Sequence, residues 1–352
     1  MKIAFFADDG NFHFLRDIIS HLSKEHLVRI FQKGTIQDMY DLMRWSDVSW
    51  FEWCGRSIVR ASWLPKVCRI ICRLHRYEAY TNRIFGINWD NVDDLIFVAR
   101  HVLDTVKLQI PDIDQRVKTH IIPNGINLEC FKFKNRKKGF NIAFLGNVVL
   151  IKNPMLLLQC MRKIVDKDPR YKCFIGGPFK ELFVKQYLEQ MIKEMQLQGN
   201  VFLQGPIKNV PQWFDDKSFL ISTSVIEGHP VGIMEAMATG IKPIIHNFYG
   251  ASEIYPRKYL FNTIDECCDM VLSDDYNPQE YRKFIEDNYS LQAQLDRIEE
   301  LLNIHRVYLP VPSSVPMRLK ESAKFVYWTY LRNQLLRRII SWVWSGLRWM
   351  YR

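Results

Sequence analysis

The stretch STSVIEGHPVGIMEAMATGIKPIIH, Ser222–His246, decides the fold. It begins at the end of SFLISTS (218–224), a run short and apolar enough to be a buried strand. Ile226-Glu227-Gly228-His229-Pro230 follows as a turn, with Pro230 at a helix start, where its missing N–H costs nothing. Val231–Thr239 then predicts a helix with one apolar face, and Gly240 ends it as a left-handed cap. IKPIIH (241–246) is a second short apolar run. Strand, turn, helix and strand in this order make one unit of a parallel sheet.

The same rhythm extends outward on both sides. Upstream within the same half lie FNIAFLG (140–146), a helix through 155–166, KCFIGG (172–177), a long helix near 180–195 and NVFLQG (200–205). An earlier series runs through KIAFFA, a helix over 14–24, LVRIF, DVSWFEW (47–53), VCRIICRLH (67–75), DDLIFVA (93–99) and VKTHIIPNG (117–125). The basic, polar stretch FKFKNRKKG (131–139) separates the two series and reads as a hinge over 132–139. The prediction is α/β, with one domain over 1–135 and a second over 139–305.

Composition supports a folded chain. With 352 residues, 48% hydrophobic and 24% charged, it is too long for one core and too apolar to be disordered. The start, MKIAFFADDGNF, places Asp8 and Asp9 after a short apolar run, which reads as a first strand rather than a signal peptide or membrane span. The eight cysteines form no Cys-x-x-Cys pair and sit mostly in apolar patterns, as buried thiols of a reducing cytosol do. Neither half has Gly-x-Gly-x-x-Gly after its first strand, and Gly-x-x-x-x-Gly-Lys-Ser/Thr is missing, which argues against a nicotinamide dehydrogenase and a P-loop ATPase.

Most of the formal charge of +10 belongs to residues 317–352, where eight Lys and Arg face Glu321 alone. YLPVPSSVP (308–316) reads as the linker to this segment. On a helix Arg338, Ser341, Ser345, Arg348 and Arg352 share one face, and Leu336, Ile340, Val343, Leu347 and Met350 another. This amphipathic tail is expected to lie on an anionic membrane surface rather than span a bilayer. The concentration of charge there argues against nucleic acid as the partner, though salt-sensitive oligonucleotide binding through the tail is a third reading.

A helix N-terminus between strand ends offers unpaired N–H groups and a positive dipole, a common anion site. Glu227 stands at that terminus and Glu235 more than one turn further on, so both could accept hydrogen bonds from sugar hydroxyls flanking a diphosphate. In this register EGHPVGIMEAMATG resembles the E-x7-E signature of the retaining glycosyltransferases of the GT-B fold, glycosyltransferase family 4, also called glycosyl transferases group 1. The resemblance covers roughly residues 1–305 and is strongest over 140–255. It implies GT-B architecture, two doubly wound Rossmann-like domains facing a central cleft; the C-terminal amphipathic helical tail, read from its own pattern, lies outside the resemblance. PNGINLECF, from Pro123, resembles the family's PNGVDxxxF.

The resemblance implies roles residue by residue. Glu227 takes the sugar side and Glu235 the ribose, while the N–H groups of Gly228, His229, Val231 and Gly232 face sugar and diphosphate. FLGNVVLIKNP resembles the segment G-R-L-x-x-x-K-G, which puts Lys152 on the leaving diphosphate and Asn147 where the family has arginine. Arg76 and Arg100 are chemical candidates to replace that charge. His75 is expected beside the donor sugar, Gly10 after Asp9 in a loop over the diphosphate, and Glu52 and Glu78 near acceptor hydroxyls. Ile175–Phe179 and Phe202–Gln204 would wall the base.

The implied reaction moves a sugar from a nucleotide sugar, with retention, to a glycan or lipid-linked acceptor, as in bacterial surface polysaccharide assembly. The departing phosphate is expected to take the acceptor's proton. No cofactor or metal is expected: the adjacent aspartates at 8–9, 93–94, 215–216 and 274–275 lack the Asp-x-Asp spacing of a metal clamp. The expected location is the cytoplasmic face of the membrane, peripherally bound. The alternative is a non-catalytic membrane module with a degenerate sugar-nucleotide cleft, which Asn147 keeps open.

Overall fold

The computed structural model describes residues 1–10 and 12–304. The linker and the basic aromatic tail lie outside them. The chain divides into two compact units, the first comprising Met1–Phe97, Thr105–Ile121 and Ile304, the second Val98–Asp104 and Ile122–Asn303. Among the described residues no helix is long and apolar enough to cross a membrane.

The first unit holds β1 (Lys2–Ala7), β2 (Leu27–Phe31), β3 (Val48–Glu52), β4 (Arg69–Leu74), β5 (Asp94–Phe97) and β6 (Lys118–Ile121). They form one parallel sheet in the order β2-β1-β3-β4-β5-β6. The strands β3, β4 and β5 are buried at every residue. That is why they read as continuous apolar runs and not as an alternation: a parallel strand is covered on both faces.

The second unit holds β7 (Asn141–Leu145), β8 (Lys172–Gly176), β9 (Val201–Gly205), β10 (Phe219–Ser222), β11 (Lys242–His246) and β12 (Leu260–Phe261). This sheet is also parallel, in the order β12-β11-β10-β7-β8-β9. Counted within the unit the order is 3-2-1-4-5-6, the doubly wound dinucleotide-fold topology. Its core packs Ile142, Phe144, Ile175, Ile221 and Ile244 of the strands against Leu157, Met161 and Ile164 of the helix Pro154–Lys167. Asn-Pro pairs start helices here for a local reason. Asn153 and Asn277 each accept a hydrogen bond from an orphan first-turn N–H, and Pro154 and Pro278 need none.

Two boundaries differ from those the sequence suggested. After the earlier segment Val98–Asp104, the chain returns to the second unit at Ile122, ahead of the expected change at 135–139. The Asn124-Gly125 turn is packed there: the Ile126 N–H donates to the Tyr289 carbonyl at 2.8 Å, and the Gly125 N–H to Gln294 Oε1 at 2.9 Å. A Cβ on Gly125 would lie 2.6 Å from the Leu291 Cα, so this approach requires glycine. Residues 132–139 are no free hinge either. Arg136 donates to the carbonyls of Thr239 and Asp215 at 3.0 and 2.7 Å, and Lys138 to that of Leu272 at 2.8 Å. Its basic side chains strap the stretch onto the second unit.

Candidate active site

In the second unit β7 and β10 are neighbours whose onward connections run to opposite sides of the sheet. The loops leaving their carboxyl ends flank the topological switch point, where doubly wound folds bind ligands. The β7 loop carries Gly146 to Lys152, and the β10 loop Thr223 to Pro230. They are joined to each other. The Thr223 hydroxyl lies 2.9 and 2.8 Å from the carbonyl oxygens of Lys152 and Asn153, and the Val225 N–H donates to the Ile151 carbonyl at 3.0 Å.

This stitching brings Lys152 onto Glu227. The ammonium pairs with Glu227 Oε1, and the Ser224 hydroxyl donates to the same oxygen at 2.6 Å. Glu227 is buried, whereas the Lys152 side chain is 22% exposed, so the charged head stays reachable. Two residues that the sequence places 75 positions apart thus form one ion pair. Ser224 and Thr223, the polar end of an otherwise apolar strand, were the overlooked signal for this support.

Val231 and Gly232 occupy the first turn of the helix Val231–Ala238, where N–H groups have no intrahelical acceptor. A Cβ at Gly232 would come no nearer than 3.7 Å to Leu145, which leaves the approach to that turn open. Gly228 and His229 form the buried bend before it. The His229 ring packs edge-on against Tyr289, with centroids 4.8 Å apart, so its side chain serves packing.

Glu235 lies on the second turn, half-buried, and burial alone pushes its carboxyl up to about 7. The sign follows from linkage. An unfolded glutamate ionises near 4.5, so between 4.5 and about 7 the folded state binds more protons, and rising pH weakens the fold. Glu235→Gln should therefore leave stability unchanged near pH 4.5 and raise it above pH 7. The ceiling is roughly 3 kcal/mol at 1.36 kcal/mol per unit, lowered to about 1 to 2 kcal/mol because water reaches the carboxyl. Urea unfolding of both proteins at pH 5 and pH 8 checks this; equal differences at the two pH values would contradict it.

Asn147, at the arginine position, is exposed. Arg100 is 59% exposed in the side chain and pairs with Asp104 at 3.2 Å, and Arg76 lies half-buried in the first unit. The site's fixed cation among these is Lys152.

In the first unit His75 follows β4 and precedes the short helix Arg76–Ala79. Its Nε2 is 2.7 Å from Glu52 Oε1, and its ring packs at a tilt against Trp53 and Phe14 at centroid distances of 4.1 and 4.9 Å. Burial raises the Glu52 carboxyl, but the Arg73 charge and hydrogen bonds from His75 and Trp50 outweigh it and hold it below its ordinary value. Burial pushes the His75 imidazole below its ordinary value, against the Glu52 hydrogen bond and charge that raise it, which favours the neutral ring. A carboxylate only accepts, so the proton is on Nε2 and Nδ1 is the acceptor nitrogen. Glu52 and Glu78 were expected to meet acceptor hydroxyls; they are 2% and 1% exposed instead. Glu52 orients His75. Glu78, raised to about 8 by burial and by the Glu52 charge, lies against the backbone N–H groups of Cys54 and His75.

At the carboxyl end of β1, Asp8 accepts from Ser57 Oγ at 2.6 Å and from the Ser57 N–H at 3.0 Å, which ties this loop to the start of the helix Arg56–Ala61. Gly10 sits beyond it with φ +68°, and a Cβ there would meet nothing within 4 Å. The chain does contain two Asp-x-Asp spacings, Asp112/Asp114 and Asp166/Asp168. Asp114 pairs with Lys107, Asp166 with Arg162 and Asp168 with Arg170. Among the described residues no group of three His, Cys, Asp or Glu could hold a metal ion. Seven of the eight cysteines are buried and all are free, with Cys130 exposed.

Residues 127–297 match the family model for glycosyl transferases group 1. The poly(ribitol-phosphate) alpha-N-acetylglucosaminyltransferase of Staphylococcus aureus is 27% identical over 189 residues, 49% of this chain and 38% of that protein. The UDP-Gal:alpha-D-GlcNAc-diphosphoundecaprenol alpha-1,3-galactosyltransferase of Escherichia coli is 22% identical over 210 residues, 53% of this chain and 54% of that one. The chain therefore spans well under two thirds of the length of these relatives. The crystal structure of Anabaena HepE in complex with UDP superposes with a TM-score of 0.68 at 14% identity, covering 86% of this chain and 99% of that one. Both units thus have the Rossmann-like build of the GT-B fold, and residues 127–297 carry the resemblance to the glycosyl transferases group 1 family.

Proposed function

We propose that the protein transfers a sugar from a nucleotide sugar, with retention of configuration, to a glycan or lipid-linked acceptor in the assembly of a surface polysaccharide. The Lys152–Glu227 pair at the switch point of the second sheet carries this reading. Lys152 would neutralise charge growing on the leaving diphosphate, with the first-turn N–H groups of Val231 and Gly232 beside it. Glu227 would meet the sugar and Glu235 the ribose hydroxyls. His75, through Nδ1, would accept from a hydroxyl, and Gly10 would let its loop approach the diphosphate closely. No cofactor is assigned. The basic aromatic segment 317–352, read from sequence alone, would bring the enzyme to an anionic membrane at its cytoplasmic face. Relatives named for poly(ribitol-phosphate) and GlcNAc-diphosphoundecaprenol acceptors support the acceptor class.

Thermal unfolding against UDP-, GDP-, ADP- and CMP-sugars tests the donor site, with Glu235→Ala as control. One nucleotide class should raise the midpoint, by about 2.7 kcal/mol of stabilisation at a hundredfold excess over Kd, and the control should lose most of that shift. No shift with any donor would favour the rival reading, a non-catalytic module, for which the exposed Asn147 in place of arginine is the observation.

A further inference from the structure

His101 belongs to the segment Val98–Asp104 of the second unit and is 2% exposed. Its Nε2 lies 2.9 Å from the main-chain carbonyl oxygen of Glu227. A carbonyl only accepts, so Nε2 carries the proton and donates. The ring is wedged in place. Gly250, with φ +88°, lies so close that a Cβ on it would sit 2.1 Å from the His101 Cγ. Phe248 and Tyr249 stand at centroid distances of 6.2 and 6.1 Å. The His101 N–H donates to Glu253 Oε2 at 3.1 Å, and the same oxygen is 3.9 Å from Nδ1.

Glu227 itself stands in neither a helix nor a strand. Its carboxylate is held by Lys152 and Ser224, and its main chain by a residue 126 positions away. We propose that His101 is a positioning residue for Glu227, fixing the main chain from which the carboxylate reaches Lys152, with Glu253 and Gly250 locking the imidazole. The link to turnover rests on the transferase reading of the site; the link to the ion pair does not.

The test uses two full-length variants. His101→Phe keeps a ring and removes the donor, and His101→Gln keeps a donor. His101→Phe should lower kcat about tenfold or more, since displacements of about 1 Å can cost 10²-fold. It should weaken nucleotide-sugar binding while leaving nucleoside diphosphate binding within about twofold, and His101→Gln should recover much of the loss. Independently of activity, acetic anhydride labelling of Lys152, followed by peptide mass spectrometry, should rise several-fold in His101→Phe while the exposed Lys185 labels as before. Wild-type labelling of Lys152 in a folded His101→Phe protein would overturn the proposal. So would an equal rise at Lys185, or equal loss of nucleotide and nucleotide-sugar binding, either of which marks a packing role alone. If the wild type neither transfers sugar nor binds nucleotide sugars, the transferase reading fails, and the labelling result still decides the positioning claim.

Discussion

Lys152→Ala should lower kcat by about 10² to 10³ while changing nucleotide affinity less than tenfold, the range found when one preorganised donor to a developing charge is removed. Three features set this expectation. The ammonium is held by Glu227 and by the Thr223 bonds to its own loop, so it needs no reorganisation when charge appears. It is partly buried, where a charge counts for more than in water. Asn147 supplies no positive charge beside it, and Arg100 is engaged at the surface with Asp104. The same substitution leaves the buried Glu227 carboxylate with the Ser224 hydroxyl but without its cation, which should cost up to about 3 kcal/mol of stability. Adding Glu227→Gln should return most of that stability without returning kcat. Steady-state kinetics on the purified variants, with urea unfolding in parallel, reads both effects. A kcat within threefold of wild type would remove Lys152 from the mechanism.

How far the sequence could be read depends on the range of the interaction. The strands were legible because burial on both faces writes itself as an apolar run: SFLISTS and KCFIGG needed no partner to be recognised. The helix after Pro230 was legible from its ends, since Pro at the start and Gly240 at φ +87° past the end act locally. The boundary near Ile122 was not. An Asn-Gly turn followed by a basic stretch has the composition of a linker, and nothing in composition says that Gly125 must touch Leu291 or that Arg136 will find the carbonyl of Thr239.

The site divides in the same way. Glu227, Glu235 and Lys152 were reached through motif spacing, and the structure brings Glu227 and Lys152 together. Glu52 was misassigned, although its strand held a clue. In a strand buried throughout, a carboxylate must be satisfied from within, and Trp50, two residues back on the same face, donates to it at 3.0 Å. His101 left no trace in any local pattern. Its importance lies in a hydrogen bond that only the folded chain forms.

Gly177→Ala should destabilise the protein by about 3 to 5 kcal/mol, more than any surface change. Gly177 has φ +135°, a region that side chains other than hydrogen occupy at a cost of roughly 1 to 3 kcal/mol. A Cβ there would also stand 1.8 Å from the Gly146 carbonyl oxygen and 2.7 Å from its carbon, both backbone atoms that no rotamer change can clear. Relief requires moving one loop away from the other, which strains the bonds from Gly146 N–H to the Gly176 carbonyl at 3.0 Å and from Gly177 N–H to the Gly205 carbonyl at 2.7 Å. Overpacking of this kind adds about 1 to 3 kcal/mol. Because the displaced Gly146 begins the loop that ends at Lys152, turnover should fall along with stability, so the two losses share one cause. Gly199→Ala is the matched control: a Cβ there meets nothing within 4 Å, and the change should stay within about 0.5 kcal/mol. Urea unfolding at constant m-value compares the two. Equal stabilities for Gly177→Ala and Gly199→Ala would mean that the close approach of these two loops does not hold the lysine in place.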